Sequence, residues 1–127
     1  MFTNARAKLE LDLPENFASD CADAFYENLW AMIPAARTMF RNEKHMRSMF
    51  ATTLSVILKD ANDPNHLRRQ LHNLGLRHRY FGIQPIHIKI GRQAFVDAVN
   101  EAAPELPKSD CQFFAKAYDE IADAMSI

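Results

Sequence analysis

The residue best suited to binding or catalysis in this sequence is a histidine that lies on an apolar helical stripe. Leu67, Leu71 and Leu74 recur at steps of four and three residues. The same rhythm continues to His78 and then to Phe81, which places an imidazole at a core position of a predicted helix. Such an imidazole is either a core group hydrogen-bonded to a carbonyl or a ligand for a metal.

The requirements of a haem iron match this pattern. It needs one neutral imidazole nitrogen presented by a helix, a flat apolar slot on both sides, and a group that controls the sixth coordination position. The stripe therefore makes His78 a candidate iron ligand, with the core interpretation still open. His66 and His72 lie off the leucine stripe and are predicted to be solvated.

The elements that must position His78 are helices separated by prolines. Apolar residues keep helical spacing, and only three glycines occur in 127 residues, so we predict six or seven helices and no strand. Asp63 before Pro64 predicts the start of the helix that carries His78, and Ser109 with Gln112 has the spacing of a capping box. The other predicted helices cover residues 17–33, a short corner at 35–40, 46–58, about 88–103 and 109–125.

Length and charge limit the function classes. A chain of 127 residues suits one domain with a single core. Its 15 basic and 16 acidic residues leave a net charge of −1, so we expect neither nucleic acid nor a membrane as partner. Cys21 and Cys111 fall on apolar helical faces and are expected to be small buried hydrophobes in a reducing compartment, with a disulfide as the alternative. Residues 1–12 lack the apolar core and cleavage site of a signal peptide, and no stretch reaches the ~20 apolar residues of a membrane span, so we expect a cytoplasmic protein.

Three blocks of sequence resemble the globin family. The run LGLRHRYFGI at 74–83, followed by IGRQAF at 90–95, is similar to the proximal and following helices of bacterial and neuroglobin-like single-domain globins. The block AFYENLW at 24–30 with Pro34, Arg37 and Phe40 resembles the second and third globin helices. The segment AKAY at 115–118 with 121–123 resembles the last helix. The match covers residues 17–125, so residues 1–127 are expected to form one all-α globin domain.

This resemblance implies a three-over-three helical sandwich around haem b. His78 matches the proximal histidine of the family, and Phe40 matches the phenylalanine that packs on the porphyrin face. Tyr26 matches a distal tyrosine whose hydroxyl stabilises a bound gas, with a plain core tyrosine as the alternative. Phe81 and Ile83 complete the proximal side of the expected cofactor site. His87, Arg79 or Lys89 would serve as partners of the haem propionates.

The residues that follow the short corner resemble the distal helix of the family. His45 corresponds to the distal ligand position and Met49 lies one turn later, over the iron. His45 would then either hydrogen-bond a gas or ligate iron itself, and the alternative is a solvent-facing histidine in a charged turn. Only four residues separate Phe40 from His45, which is shorter than the usual corner. Residues 1–13 also depart from the family, so we expect the first helix to be short, remodelled or absent.

The function implied by the resemblance is reversible binding of a diatomic gas, for oxygen binding or gas sensing, which favours a binding protein over an enzyme. One alternative is a nitric oxide dioxygenase or peroxidase-like activity. It is weakened because Ile88 stands where such enzymes place a tyrosine, and an external electron source would be needed. Another alternative is a haemless globin-fold signalling domain. A homodimer and a tether to an output domain are both compatible with this sequence.

Overall fold

The computed structural model describes residues 13–39, 42–79 and 82–125 as an assembly of helices. No strand occurs in these ranges, which confirms the all-α prediction. Phe40, Phe81 and residues 1–12, with the expected first helix, lie outside the described residues. The elements are α1 (Phe17–Met32), a 3₁₀ corner helix (Pro34–Met39), α2 (Glu43–Lys59), α3 (Pro64–His78), α4 (Pro85–Ala102) and α5 (Lys108–Met125).

Side-chain caps begin two of the helices. The Asn42 carboxamide oxygen accepts from the His45 amide at 3.0 Å, and the Asp63 carboxylate accepts from the His66 amide at 3.3 Å. Each bond satisfies an N–H group that has no partner within the first helical turn. Pro64 occupies the first turn of α3, as the sequence predicts.

Two predicted boundaries are wrong. The expected capping box at Ser109 does not begin the last helix, because α5 begins at Lys108 and the Pro107 carbonyl already accepts from the amides of Asp110 and Cys111. Similarly, α4 begins at Pro85 rather than near Ile88. A proline at the first helical position lacks only an N–H that the helix would not use, so it starts a helix as readily as it ends one.

The helices pack as two main pairs. The most extensive contacts are those of α1 with α4 and of α3 with α5, whereas α2 leans on α1 and barely touches α3. Leu67 and Leu71 of α3 are fully buried, and burying a leucine stabilises a fold by about 1.5–3 kcal/mol. The main core cluster is formed by Phe17, Cys21, Leu54, Ile57, Leu67, Leu71, Phe95, Ala98, Val99, Ala103, Phe113, Phe114 and Ala117.

A glycine allows the closest approach of α3 to α5. Gly75 lies inside α3 and is buried. A Cβ atom at this position would lie 2.5 Å from the Ala124 Cβ and would also overlap the Ile121 carbonyl oxygen. Because carbonyl and Cβ belong to the α5 framework, a side chain at Gly75 would force the two helices apart. The role of Gly75 is therefore helix packing, and α3 continues through it to His78.

A second glycine performs the same task between α4 and α5. A Cβ on Gly91 would lie 2.5 Å from the Tyr118 hydroxyl oxygen. That hydroxyl donates a hydrogen bond of 2.9 Å to the Ile88 carbonyl of α4.

Within the described part of the chain, no helix has the length and apolarity needed to cross a bilayer.

Candidate functional site

A cleft of about 600 Å³ separates α2 from α3. This volume falls within the range of small-molecule sites, about 300–1,000 Å³. Its walls are mainly apolar and carry a few polar groups that are able to orient a ligand. The α2 wall consists of Thr52, Thr53, Val56 and Ile57, and the α3 wall of Gln70, Asn73, Leu74, Leu76 and Arg77.

His78 lies at the C-terminal end of α3, one turn beyond a residue of the cleft wall. It is half-buried, and its Nδ1 lies 2.8 Å from the carbonyl oxygen of Leu74, four residues earlier. A carbonyl oxygen only accepts hydrogen bonds, so Nδ1 is the donor and carries the ring proton. The lone pair of the neutral ring is therefore on Nε2. Metal-binding histidines are commonly held in this way by a backbone carbonyl.

The α2 helix presents one face to the cleft and another to the core. His45 and Met49 are four residues apart, and continuing by three or four residues leads to Thr52, Thr53 and Val56 on the cleft wall. Both are exposed, with 50% of Met49 accessible. The buried residues of α2 are Leu54 and Ile57, and Ile57 also borders the cleft. The single broad stripe predicted for α2 thus combines two faces.

Tyr26 lies in an aromatic cluster on the α1 side of α2. It is buried, and its ring meets Phe50 edge-on at 5.8 Å and Trp30 at 5.6 Å between centroids. Burial raises the pKa of Tyr26 to about 12, and the positive charge of Arg47 opposes that rise. The hydroxyl therefore stays protonated and remains a hydrogen-bond donor at neutral pH. None of the four predicted site residues His78, Tyr26, His45 and Met49 is among the cleft-wall residues.

Two arginines flank this aromatic cluster, and sequence reasoning missed their role. The Arg47 guanidinium carbon lies 5.2 Å from the Trp30 ring centroid and 6.0 Å from that of Tyr26. Arg37 covers Trp30 at 4.5 Å and makes a two-pronged ion pair with Glu43. The acidic partners of Arg47 are Asp23 and Glu27, four residues apart on α1. Spacing along one helix does not reveal an ion pair with a residue twenty or more positions away in the sequence.

The remaining histidines are placed away from the cleft wall. His66 and His72 are exposed, in agreement with the sequence prediction. His87 caps α4, since its Nδ1 accepts from the Gln84 amide at 3.0 Å. Ile83 is half-buried in the α3–α4 connection, directly after Gly82, whose φ of 72° suits a residue without a side chain.

These features define an all-helical domain in which a carbonyl-oriented histidine ends the helix beside a ligand-sized cleft. The family model described as Globin matches residues 23–125 of the chain. The match runs from α1 to the end of α5 and covers most of the 127 residues. The chain belongs to the globin family, and the resemblance found in its sequence is confirmed.

Proposed function

We propose that this globin binds haem b through Nε2 of His78 and reversibly binds a diatomic gas, for oxygen binding or gas sensing. The observation that carries the proposal is the 2.8 Å contact between Nδ1 of His78 and the Leu74 carbonyl. It assigns the ring proton to Nδ1 and so directs the basic nitrogen away from the helix backbone. When bound, the haem supplies an iron that accepts a gas at its sixth coordination position.

The residues of the cleft fit such a group. Val56, Ile57 and Leu74 give the two walls an apolar surface suited to a flat macrocycle. Arg77 lines the same cleft and is exposed, so its guanidinium suits a propionate carboxylate at the solvent edge. In this proposal Arg77 is the propionate partner on the cleft wall, in addition to Arg79, Lys89 and His87 near the end of α3 and the start of α4.

On the distal side, we assign hydrogen bonding of the gas to Tyr26. Its phenol is buried and protonated, and a buried hydroxyl donor interacts strongly with partial negative charge on a ligand. Met49 and His45 share the face of α2 that turns toward the cleft. In this proposal Met49 supplies apolar contact, and His45 is a second distal donor or ligand. Phe40, Phe81 and Ile83 complete the proposed contacts.

We also propose that this function is carried out in the cytoplasm. Both cysteines are free thiols in the structure, Cys21 buried and Cys111 half-buried. Free thiols in a stable fold are typical of a reducing compartment.

Absorption spectroscopy tests the proposal. Purified protein reconstituted with haem is expected to show an intense Soret band, and His78→Ala is expected to lose the band or to show weakened haem retention. Added imidazole should restore the native spectrum in His78→Ala, because the free ligand replaces the missing ring. His72→Ala is the matched control, since it removes an exposed imidazole from the same helix.

Two results would contradict the proposal. A protein that stays colourless after reconstitution does not bind haem. A His78→Ala variant with the native spectrum would show that another residue holds the iron.

A further inference from the structure

Arg47 joins the helix of Tyr26 to the helix that borders the cleft. From α2, its guanidinium donates 3.0 Å and 2.6 Å hydrogen bonds to the carboxylates of Asp23 and Glu27 on α1. The Arg47 side chain is 22% exposed, whereas those of Asp23 and Glu27 are 62% and 66% exposed. The carboxylates therefore hold the guanidinium from the solvent side while its inner face covers the aromatic rings.

The guanidinium is placed where its charge acts on the Tyr26 phenol. At 6.0 Å from the ring centroid it lies at the outer limit of a cation–π contact. A positive charge there stabilises the partial negative charge that develops on the phenol oxygen when its O–H donates, so it makes the hydroxyl a stronger hydrogen-bond donor. The effect of Arg47 on the pKa of Tyr26 has the same sign: it lowers the pKa, against the rise that burial causes.

We propose that Arg47 is a positioning residue for Tyr26, which fixes the ring between α1 and α2 and sets how strongly its hydroxyl donates to a gas ligand. This inference rests on the proposed function for its ligand. The contact between Arg47 and Tyr26 is a property of the protein alone and is open to measurement without haem.

The chain offers a matched control in Arg37. Arg37 also covers Trp30 and also pairs with a carboxylate, that of Glu43. Its carboxylate partner, however, lies on α2, and its ring contact is with Trp30, whereas Arg47 also covers Tyr26. Replacing Arg37 thus removes the same kinds of interaction without the contact to Tyr26.

The first experiment uses the haem-free full chain labelled with fluorotyrosine, with the signal of Tyr26 assigned by its absence in Tyr26→Phe. Arg47→Gln keeps a hydrogen-bonding side chain and removes the charge, so we expect the titration of Tyr26 to move to higher pH. Arg47→Lys retains the charge and is expected to titrate closer to the native protein. Arg37→Gln is expected to leave the titration unchanged.

The second experiment measures ligand dissociation from the haem-loaded chain. A weaker hydrogen bond from Tyr26 to the ligand in Arg47→Gln is expected to increase the dioxygen dissociation rate about fivefold, which corresponds to about 1 kcal/mol. Carbon monoxide accepts hydrogen bonds more weakly, so its rate should change far less. A general loosening of the pocket would change both rates together.

Each outcome decides between the alternatives. The inference is overturned if Arg47→Gln titrates like the native protein, or if Arg37→Gln produces an equal change. Should Arg47→Gln fail to fold, a titration of Tyr26 in Arg47→Lys displaced to higher pH would overturn it as well, because the retained charge should hold the pKa of Tyr26 near its native value. A chain that stays colourless with haem, while Arg47→Gln still moves the titration, overturns the proposed function but upholds the coupling of Arg47 to Tyr26.

Discussion

Replacing Gly75 with alanine is expected to separate α3 from α5. The added methyl group would lie 2.5 Å from the Ala124 Cβ and would overlap the Ile121 carbonyl oxygen. Real Cβ atoms do not approach so closely, and neither obstacle is the mobile end of a long side chain. The helices must therefore shift along much of their contact, and this shift would also disturb the buried residues Leu67 and Leu71 of α3.

Two opposing terms set the magnitude. Alanine is the better helix former, which stabilises a helix interior by about 1 kcal/mol relative to glycine. Overpacking of a tight core costs about 1–3 kcal/mol, and a clash with backbone belongs at the upper end. We expect Gly75→Ala to lose about 2 kcal/mol in free energy of unfolding and to lower Tm by about 8 °C for a domain of this size.

Urea unfolding of the haem-free protein, followed by helical circular dichroism, measures this loss. His72→Ala, at an exposed site of the same helix, should stay within about 0.5 kcal/mol of the native protein. Because His78 follows Gly75 by three residues, haem retention should also fall in Gly75→Ala and not in His72→Ala. A Gly75→Ala protein that gains the stability expected from helix propensity alone would refute the close packing of α3 on α5.

Two further predictions concern ionisable groups. Burial raises the pKa of the Cys21 thiol to about 12 by disfavouring its thiolate. An alkylating reagent at mildly alkaline pH should therefore modify Cys111 and spare Cys21 until denaturant is added, as peptide mass spectrometry would show. Equal labelling of both thiols in the native protein would contradict the buried position of Cys21. The hydrogen bond from Arg37 lowers the pKa of Glu43, so the stability from this exposed pair is present above the usual glutamate pKa and lost as the pH falls through the lowered value. Glu43→Gln should therefore be slightly less stable than native protein at neutral pH and equal to it in acid, and a difference that persists in acid would contradict this assignment.

Local patterns predicted the helices and the histidine at the end of α3. The leucine stripe that predicts a core position for His78 corresponds to buried residues in the structure, with Leu67 and Leu71 fully inaccessible. This succeeds because both burial and helix geometry repeat along the chain with a fixed period. Helix starts were less predictable, as Ser109 and Ile88 show, because a proline at the first helical position or just before it also begins a helix.

The distal side depends on contacts that no spacing encodes. Residue pattern alone does not show that α2 has a core face and a cleft face, because Met49 and Phe50 are neighbours on one broad apolar stripe. The contact of Arg47 with α1 joins residues 20 to 24 positions apart. Similarly, a glycine within a helical pattern, such as Gly75, looks the same in sequence whether it weakens the helix or makes room for a neighbouring helix. Only the position of α5 in the structure shows which role applies.

The sparse contact between α2 and α3 has a consequence for cooperativity. Since α2 packs mainly on α1, and α3 on α5, the two walls of the cleft are joined through the shared core more than through direct contact with each other. A molecule that spans the cleft supplies the interface that these two helices lack, and it stabilises them in proportion to the logarithm of its concentration relative to its dissociation constant. If the proposed function holds, slower hydrogen exchange in α2 and α3 would report occupation of the cleft by its cofactor.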